Sequence, residues 1–253
     1  MGALEGRVAI VTAAAGSGIG QAIARRFAEE GAHVVITDAH ARRVQEVAAV
    51  MSKDYGREFT SLEVDVTNVG QVQGMVQTAL NRYGQVDILV NNAGINRLEP
   101  AWEMSEETWN LIIGVNLTGA FHCTRAVLPH MIERKQGAIV NLSSIVGWAG
   151  SDEGEAHYCA AKAGVAAFTR AVAAEVGRHG VRINAIAPGL IYNPFLDRIY
   201  PPEFFQQMAA RTPLGRVGEP ADIANLATFL VSDQSSYITG EVICISGGMY
   251  MKA

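Results

Sequence analysis

The chain has 253 residues, of which 49% are hydrophobic and 18% are charged, and its formal net charge is −5. This composition suits one α/β domain with a large core, and the absence of a Lys/Arg run argues against nucleic-acid binding. Three widely spaced cysteines favour reduced thiols in a cytoplasmic protein over a disulfide framework. We find no signal-peptide pattern, no apolar run long enough to span a membrane and no metal-ligand set.

The first part of the chain has the layout of a dinucleotide-binding unit. A β-branched run at 7–12 predicts a buried strand, a Gly- and Ala-rich turn follows at 13–20, and a helix is predicted at 21–30. A second predicted strand, 33–38, ends in Asp38. Glycines let backbone N–H groups approach a pyrophosphate, and the N-terminus of a helix favours its negative charge. The Asp38 carboxylate could then accept hydrogen bonds from the adenosine ribose.

Strands and helices continue to alternate along the chain. Further helices are predicted at 41–53, 69–83, 105–133 (with a break near 114–117), 157–179 and 220–231. Further strands are predicted at 59–66, 86–90, 137–142, 181–187 and 241–245. An aromatic and proline-marked insert at 190–212 suggests a substrate lid or binding loop, with a surface helix hairpin as the alternative. We find no linker or repeat and predict a single domain over 1–253.

Tyr158 and Lys162 are four residues apart in the helix predicted at 157–179. Because positions i and i+4 lie on one face of a helix, the ammonium could lie near the phenol and lower its pKa. Such a phenol can exchange a proton with an alcohol/ketone pair. Taken alone, the pair also fits an amphipathic Tyr beside a solvated Lys.

The order and spacing of the motifs resemble those of the short-chain dehydrogenase/reductase family over nearly the whole chain. These motifs are the Gly-rich turn after Thr12, Asp65, Asn91-Asn92-Ala93-Gly94, Asn116, Ser144, Tyr158-x-x-x-Lys162 and Pro188-Gly189-Leu190-Ile191. The resemblance implies a Rossmann-type, doubly wound sheet of seven parallel strands flanked by helices. It also implies hydride transfer between a nicotinamide cofactor and a secondary alcohol/ketone pair. A homotetramer, with helices 105–133 and 157–179 and the C-terminus at its interfaces, is implied as well.

The resemblance implies a role for each of four side chains. Tyr158 is the expected proton donor and acceptor, while Lys162 lowers its pKa and holds the nicotinamide ribose. Ser144 is expected to hydrogen-bond the substrate oxygen. Asn116 is expected to hold a water that links Lys162 to solvent. The alternatives are a hydroxyl that caps its own turn for Ser144 and a helix-kink amide for Asn116.

The resemblance also implies the cofactor contacts. They are Ser17, Gly18, Ile19 and Gly20 at the pyrophosphate, Asp65 and Val66 at the adenine, Asn92, Ala93 and Gly94 beside the adenosine and ribose, and Pro188, Gly189 and Ile191 at the nicotinamide carboxamide. A carboxylate at Asp38 would repel a 2′-phosphate, so we predict NAD as the cofactor rather than NADP. Arg42 and Arg43 are expected to face solvent at a helix start.

Substrate contacts are expected around the Tyr158 hydroxyl. The nearest positions are Asn96, Arg97, Ile145, Val146, Trp148, Glu155, His157, Leu190, Tyr192 and Phe195. The predicted substrate contacts are Ser144, Val146, Trp148, Tyr158 and Tyr192. This mixture of apolar, aromatic and polar groups suits a medium-sized, small-molecule alcohol or ketone.

The chain departs from the family pattern at three places. One is Asn193, five residues after Pro188, where the family often has Thr. Ala13 follows Thr12 where the family usually has Gly, and the turn up to Gly18 carries one extra residue. The Ser144–Tyr158 spacing is also one residue longer than expected, which a loop at 150–155 should absorb.

Two other functions are compatible with the sequence. One is an NADPH-dependent 3-oxoacyl-thioester reductase, against which Asp38 argues. The other is a non-catalytic nucleotide-binding sensor. The complete set of Asn116, Ser144, Tyr158 and Lys162 argues against that second alternative.

Overall fold

The structure, a computed structural model, describes residues 2–194, 196–198 and 200–251. Its strands, in chain order, are β1 (Val8–Val11), β2 (His33–Asp38), β3 (Thr60–Glu63), β4 (Ile88–Asn91), β5 (Gly137–Leu142), β6 (Val181–Pro188) and β7 (Val242–Ile245). They form one sheet in the order β3-β2-β1-β4-β5-β6-β7, and every neighbouring pair is parallel. The predicted seven-stranded parallel sheet is confirmed.

The α-helices that connect and flank the strands in the described residues are α1 (Ile19–Glu29), α2 (Ala41–Tyr55), α3 (Val69–Tyr83), α4 (Glu106–Ile113), α5 (Gly119–Arg134), α6 (Val146–Ala149), α7 (Ala156–Val176), α8 (Pro202–Arg211) and α9 (Pro220–Val231). The chain first builds the sheet outward from β1 to β3, then crosses back to place β4 beside β1. The strand order reverses between β1 and β4, and open α/β sheets bind ligands at such a point.

Helices cover both faces of the sheet, so alternate side chains of each strand enter different cores. On one face α1, α2 and α9 pack around Phe27, and on the other α3, α5 and α7 pack around Met75. In β1, Val11 belongs to the first core and Ile10 to the second. Burial on both faces explains why the strands read as continuous apolar runs. Truncating the fully buried Phe27 to Ala would cost about 3–5 kcal/mol of unfolding free energy.

The break predicted near 114–117 is a π-helical turn, Gly114–Thr118, between α4 and α5. A π turn accommodates one extra residue and is frequent at functional sites. Here it contains the buried Asn116, whose side-chain amide donates to the carbonyls of Ile112 (2.9 Å) and Ile95 (2.8 Å). The π turn therefore contains a side chain that is hydrogen-bonded to the loop after β4.

The helical stretch Glu106–Arg134 is long and apolar enough, by length and composition, to cross a membrane. The expectation that the chain contains no such run is therefore wrong on those two criteria. In the fold, however, the stretch packs against α3, α7, β4 and β5. Of its most apolar window, 39% is buried in the fold.

The insert at 190–212 leaves the sheet after β6 and contains a 3₁₀ turn, Leu196–Arg198, and the helix α8. Both ends of the insert are pinned, because the Gly218 N–H donates to Leu190 O (2.9 Å) and the Tyr192 N–H donates to Gly218 O (2.8 Å). Aromatic rings of Tyr192, Tyr200, Phe204 and Phe205 contact one another across it. Phe195, a predicted neighbour of the substrate, lies outside the described residues.

Candidate active site

A cavity of about 980 Å³ lies at the carboxyl ends of β1, β4, β5 and β6. It brings together most of the side chains predicted to form a site. Those that line it are Ser17, Gly18, Ile19, Gly20, Asn92, Gly94, Ser144, Val146, Tyr158, Lys162, Pro188, Gly189 and Ile191. Residues from opposite ends of the chain thus share one wall because parallel strands end at the same edge of the sheet.

The Gly-rich turn has the form of a phosphate cradle. Helix α1 begins directly after Gly18, which has no side chain to cap the first N–H groups of the helix. A Cβ on Gly18 would lie 4.0 Å from its nearest neighbour, so the turn is open toward the cavity at this point. A Cβ on Gly20, by contrast, would overlap Ala13 O and the Asn92 amide. The uncapped N-terminus of α1 therefore fits the pyrophosphate of a dinucleotide.

Ala13, which stands where the family usually has Gly, has an unusual backbone conformation. Its φ is 50°, in the left-handed region where a Cβ costs about 1–2 kcal/mol. The Asn92 amide donates to Thr12 O (2.9 Å) and Ala13 O (3.1 Å), and the Asn92 N–H donates to Thr12 Oγ1 (2.9 Å). These bonds fix the turn to the end of β4, so the extra residue is accommodated without displacing the cradle from the cavity.

Asp38 lies at the end of β2 and is only 7% exposed. Its carboxylate accepts from the N–H groups of Ala15 (3.2 Å) and His40 (3.1 Å). Burial raises the pKa of Asp38, while the Ala15 N–H, the charge of Arg43 and the Ala39 N–H oppose the shift. Arg43 faces solvent as predicted, with 52% of its side chain exposed, and its guanidinium also lies 3.6 Å from Asp38 and lines the cavity. Arg42 does pair on the surface with Glu46, at 2.7 Å.

Tyr158 and Lys162 lie one turn apart on α7 and face the cavity together. Small residues around them let α7 pack closely, and a Cβ on Gly147 would lie 2.8 Å from the α7 backbone. Lys162 is 3% exposed, its Nζ donates to Leu142 O at 2.8 Å, and it lies 5.3 Å from the centre of the Tyr158 ring. Burial lowers the pKa of Lys162 to about 8.

The sequence predicts a lowered pKa for Tyr158, whereas in the structure its pKa is raised. Burial of the phenol raises its pKa above the ordinary value, and the negative charge of Glu155 raises it further. The nearby Lys162 does not reverse this in the free protein, because ionising a phenol in apolar surroundings is costly. The Tyr158 hydroxyl is therefore protonated at neutral pH, poised as a proton donor.

Asn116 lies behind Lys162 as the resemblance implies. Its Oδ1 is buried and accepts no hydrogen bond from the described residues. A Cβ on Gly94 would lie 2.7 Å from this Oδ1 and 3.3 Å from Lys162 Nζ, so only glycine leaves the approach between them free. Gly94, Asn116 and Lys162 belong to three different sequence motifs and thus lie together at one buried polar site. The predicted bridging water stays a prediction.

Two adjacent serines at the end of β5 have different surroundings. The Ser143 hydroxyl is buried and donates to Lys162 O at 2.8 Å, which ties the strand to α7. Ser144 is partly exposed, lines the cavity and accepts from the Val146 N–H at 3.4 Å. Its hydroxyl proton is therefore available to a substrate oxygen.

Several predicted site residues lie outside the cavity lining. Trp148 stacks on Tyr250 with ring centres 5.5 Å apart, and Tyr192 contacts Phe205 and donates to Asp197 at 2.8 Å. The remaining ones are Asp38, Asp65, Val66, Ala93 and Asn116. Asp65 accepts from Thr67 instead, and Val66 packs in the second core.

The substrate end of the cavity contains residues that the sequence did not single out as site residues. These are Asp152, Glu153, Met208, Arg211 and Met249, beside Tyr200 and Phe204 of the insert. They come from three distant segments, so no local pattern marks them. The combination gives an aromatic wall facing a loop with three carboxylates, those of Asp152, Glu153 and Glu155.

Comparison with known proteins agrees with this geometry. A family model described as enoyl-(acyl carrier protein) reductase matches residues 13–250. A Mycobacterium tuberculosis reductase of a hydroxy-methyl-oxo-hexahydroindene-carboxyl-CoA is 44% identical, with 97% of this chain and 94% of that protein covered. A hydroxy(phenyl)methyl-succinyl-CoA dehydrogenase subunit from Thauera aromatica is 44% identical, with 97% of both covered. A 3-oxoacyl-(acyl-carrier-protein) reductase from Thermotoga maritima is 41% identical, with 97% and 98% covered.

The fold is likewise shared with solved structures. A candidate short-chain alcohol dehydrogenase from Sinorhizobium meliloti superposes with a TM-score of 0.91, is 39% identical, and 97% of each chain is covered. The sequence relatives and the solved structure thus cover nearly the full length of this chain. The matched length includes the sheet, the cradle and the helix with Tyr158 and Lys162. The protein belongs to the short-chain dehydrogenase/reductase family and is an oxidoreductase acting on alcohol and ketone groups.

Proposed function

We propose that the protein transfers hydride between NAD(H) and a secondary alcohol/ketone pair, with Tyr158 as proton donor and acceptor. The observation that carries the proposal is that Tyr158, Ser144 and Lys162 line the same cavity as the uncapped N-terminus of α1. A nicotinamide cofactor supplies the hydride donor or acceptor when bound. The side chains of the protein orient the substrate oxygen and move its proton.

The proton chemistry follows from the position of each group. During oxidation the ionised Tyr158 oxygen takes the hydroxyl proton, and during reduction the protonated phenol gives its proton to the carbonyl oxygen. Ser144 donates to the same oxygen and stabilises the charge that develops on it. Lys162 lies beside the phenol, and Asn116 Oδ1 lies next to Lys162. Together they provide a polar route from the phenol toward the loop after β4.

Replacing Tyr158 by Phe removes the proton donor while preserving the ring. We expect kcat to fall by about 10²–10⁴-fold, the range for a positioned acid/base group. Tyr83→Phe is the matched control, because it removes a hydrogen-bonded hydroxyl (2.8 Å from Thr60 Oγ1) far from the cavity. Steady-state kinetics of both variants check this, and a fully active Tyr158→Phe enzyme would rule out the assignment.

The preference for NAD over NADP rests on Asp38. A 2′-phosphate beside its buried carboxylate would meet like charge, and the N–H donors of Ala15 and His40 already hold that carboxylate in place. Arg43, 3.6 Å away, is the one observation that favours NADP. We expect kcat/KM to be about tenfold or more higher with NAD.

The Asp38→Ala and Arg43→Ala variants separate the two effects. Removing the carboxylate should narrow the preference for NAD, whereas removing the guanidinium should widen it. Measuring kcat/KM with both cofactors for both variants checks this. Better turnover of NADP by the unaltered enzyme would contradict the proposal.

A second candidate function is reduction of an oxoacyl thioester. It is favoured by relatives whose names specify CoA or acyl-carrier-protein substrates. The three carboxylates of the 150–155 loop line the cavity and disfavour a polyanionic group beside that loop. A panel of cyclohexanol, a phenyl-substituted secondary alcohol and a 3-hydroxyacyl-CoA, each with NAD and NADP, distinguishes the two candidates.

We propose a homotetramer in the cytoplasm, with α4, α5 and α7 at its interfaces. Trp109 on α4 and Phe121 on α5 are 42% and 39% exposed, and Phe121 contacts Phe168 of α7 edge-on. Exposed large aromatic residues on neighbouring helices suit a protein interface. All three cysteines are free thiols, which fits a reducing compartment. Light scattering that gave the 27.0 kDa monomer mass would contradict the assembly.

A further inference from the structure

The loop at 150–155 connects three parts of the site. Gly154 has a φ of +76°, and its carbonyl accepts from the Glu99 N–H at 2.7 Å, which docks the loop on the segment after β4. The Asn96 side-chain amide donates to the Glu155 carboxylate. On the opposite side, the Tyr200 hydroxyl lies 3.5 Å from Glu153. The loop thus joins the β4 segment, the catalytic helix and the insert.

Glu155 occupies a special place in that loop. It is the N-cap residue of α7, three positions before Tyr158, and it lines the same cavity. The N-cap residue directly precedes the first turn of the helix, and Tyr158 is the third residue of that turn, so both stand at the same end of α7. Asn96 restrains the carboxylate at this end of α7, where Glu155 and Tyr158 both line the cavity. Glu153 carries the same charge but is directed to Tyr200 instead.

Few other charged or titratable groups face the phenol. On α7 these are Lys162, which lies 5.3 Å from the ring centre, Cys159, and the buried His157, whose Nδ1 accepts from the Tyr158 N–H at 2.8 Å. From the insert, the Tyr200 phenol also belongs to this group, and its pKa is raised by burial first, then by the charge of Glu153 and then by that of Glu155. The positive Lys162 and the negative Glu155 therefore act on Tyr158 in opposite senses.

We propose that Glu155, held by Asn96, is a positioning residue whose carboxylate keeps the Tyr158 hydroxyl protonated. The inference rests on the proposed role of Tyr158. In the direction of ketone reduction, the carboxylate extends the pH range over which the phenol carries its proton. In the direction of alcohol oxidation, it moves the onset of activity to higher pH. Glu155 thereby sets the working pH of the enzyme through Tyr158 and without transferring a proton itself.

The test compares Glu155→Gln with the matched control Glu153→Gln, which removes the same charge from the same loop. The measurement is kcat/KM against pH for oxidation of cyclohexanol with NAD. We expect Glu155→Gln to move the rising limb of the profile to lower pH by about half a unit to one unit, which is about a three- to tenfold gain on that limb. Glu153→Gln should move the limb by less than about 0.2 unit.

Three results would overturn the inference. They are an unmoved profile for Glu155→Gln, equal shifts in both variants, or a higher KM at every pH without a shift, which would make Glu155 a substrate-binding residue. If Glu155→Gln does not fold, Asn96→Ala releases the carboxylate and should give a smaller shift in the same direction, and no shift there also overturns the inference. Tyr158→Phe tests the proposed function separately, because it removes activity at all pH values.

Discussion

Among single residues, Lys162 carries the clearest energetic cost. Its ammonium is almost completely buried and donates one hydrogen bond, to Leu142 O, within the described residues. Burial lowers its pKa from 10.5 to about 8, so the folded state binds that proton less readily than the unfolded chain does. Burial of a charged group at such a cost is typical of functional sites, where a side chain lowers the stability of the fold but serves catalysis.

We expect Lys162→Met to raise the unfolding free energy by about 1–2 kcal/mol at neutral pH and to abolish activity. Methionine keeps the length of the side chain but removes the buried charge, and the lost bond to Leu142 O offsets part of the gain. Urea unfolding at neutral pH checks this. A variant less stable than the parent would contradict it.

The same variant should show a defined pH dependence. Between pH 8 and 10.5 the unfolded chain binds more protons at Lys162 than the folded protein does, so the stability of the parent rises with pH across that window. The advantage of Lys162→Met should therefore shrink as pH rises from about 8 and remain constant below it.

Among the structural elements, α9 shows how a helix start is fixed. Pro220 occupies the first turn, and the Asp222 carboxylate accepts from the Glu219 N–H (2.8 Å) in a capping box. Arg216 binds the same carboxylate through two bonds of 2.7 and 2.8 Å. These bonds, led by the one from Arg216, lower the pKa of Asp222. The start of α9 is thereby joined to the segment that closes the insert.

We expect Asp222→Ala to lower the unfolding free energy by about 1 kcal/mol at neutral pH, the usual cost of losing a cap. Because the folded pKa lies below the ordinary 3.8, this contribution is present above that value and disappears as pH falls through the folded pKa. Asp54→Ala, which removes only a surface pair with Arg25, should cost a few tenths of a kcal/mol. Denaturant unfolding at neutral and acid pH compares them, and equal losses would contradict the prediction.

Elements with local signals were predicted well from the sequence. Helix α3 has the predicted bounds because Asn68 caps its start and Gly84, in the left-handed conformation, ends it. Strand β3 is shorter than the predicted 59–66 because it pairs only with β2 at the edge of the sheet. The geometry of the π turn was not predictable, since its cause is the tertiary contact between Asn116 and Ile95.

The same distinction applies to the site. Motif residues at strand ends and on α7 lie together as expected, because the carboxyl ends of parallel strands meet at one edge of the sheet. Arg43 and Arg211 were missed as cavity residues, since their approach depends on packing between distant segments. The direction of Trp148, toward Tyr250, is set by the C-terminal segment and has no local signal.

Across the whole molecule, the two edges of the sheet have different tasks. The carboxyl edge holds the cavity, while the amino edge is held together by the buried Asp87 at the entry to β4. Its carboxylate accepts from the Val8 N–H (2.8 Å), Gln85 (2.8 Å) and Arg134 (2.9 Å). These bonds connect β1, β4 and α5 at the end opposite the chemistry.

We expect Asp87→Ala to lower the unfolding free energy by about 2–4 kcal/mol, because it leaves a buried N–H and a partly buried guanidinium without their acceptor. At a temperature where the variant stays folded, kcat/KM should equal that of the parent. Thermal unfolding together with kinetics checks both statements. A large loss of activity in the folded variant would show that the two edges are coupled.

The pinned ends of the insert have an evolutionary consequence. Because the hydrogen bonds between Leu190, Tyr192 and Gly218 hold the two ends of this segment together, we expect the length between them to change at little cost in loop entropy. Residues 193–217 therefore form an exchangeable cassette beside an unaltered proton-transfer centre. We expect replacement of that segment to change substrate preference while β6, α7 and the cofactor cradle keep their positions.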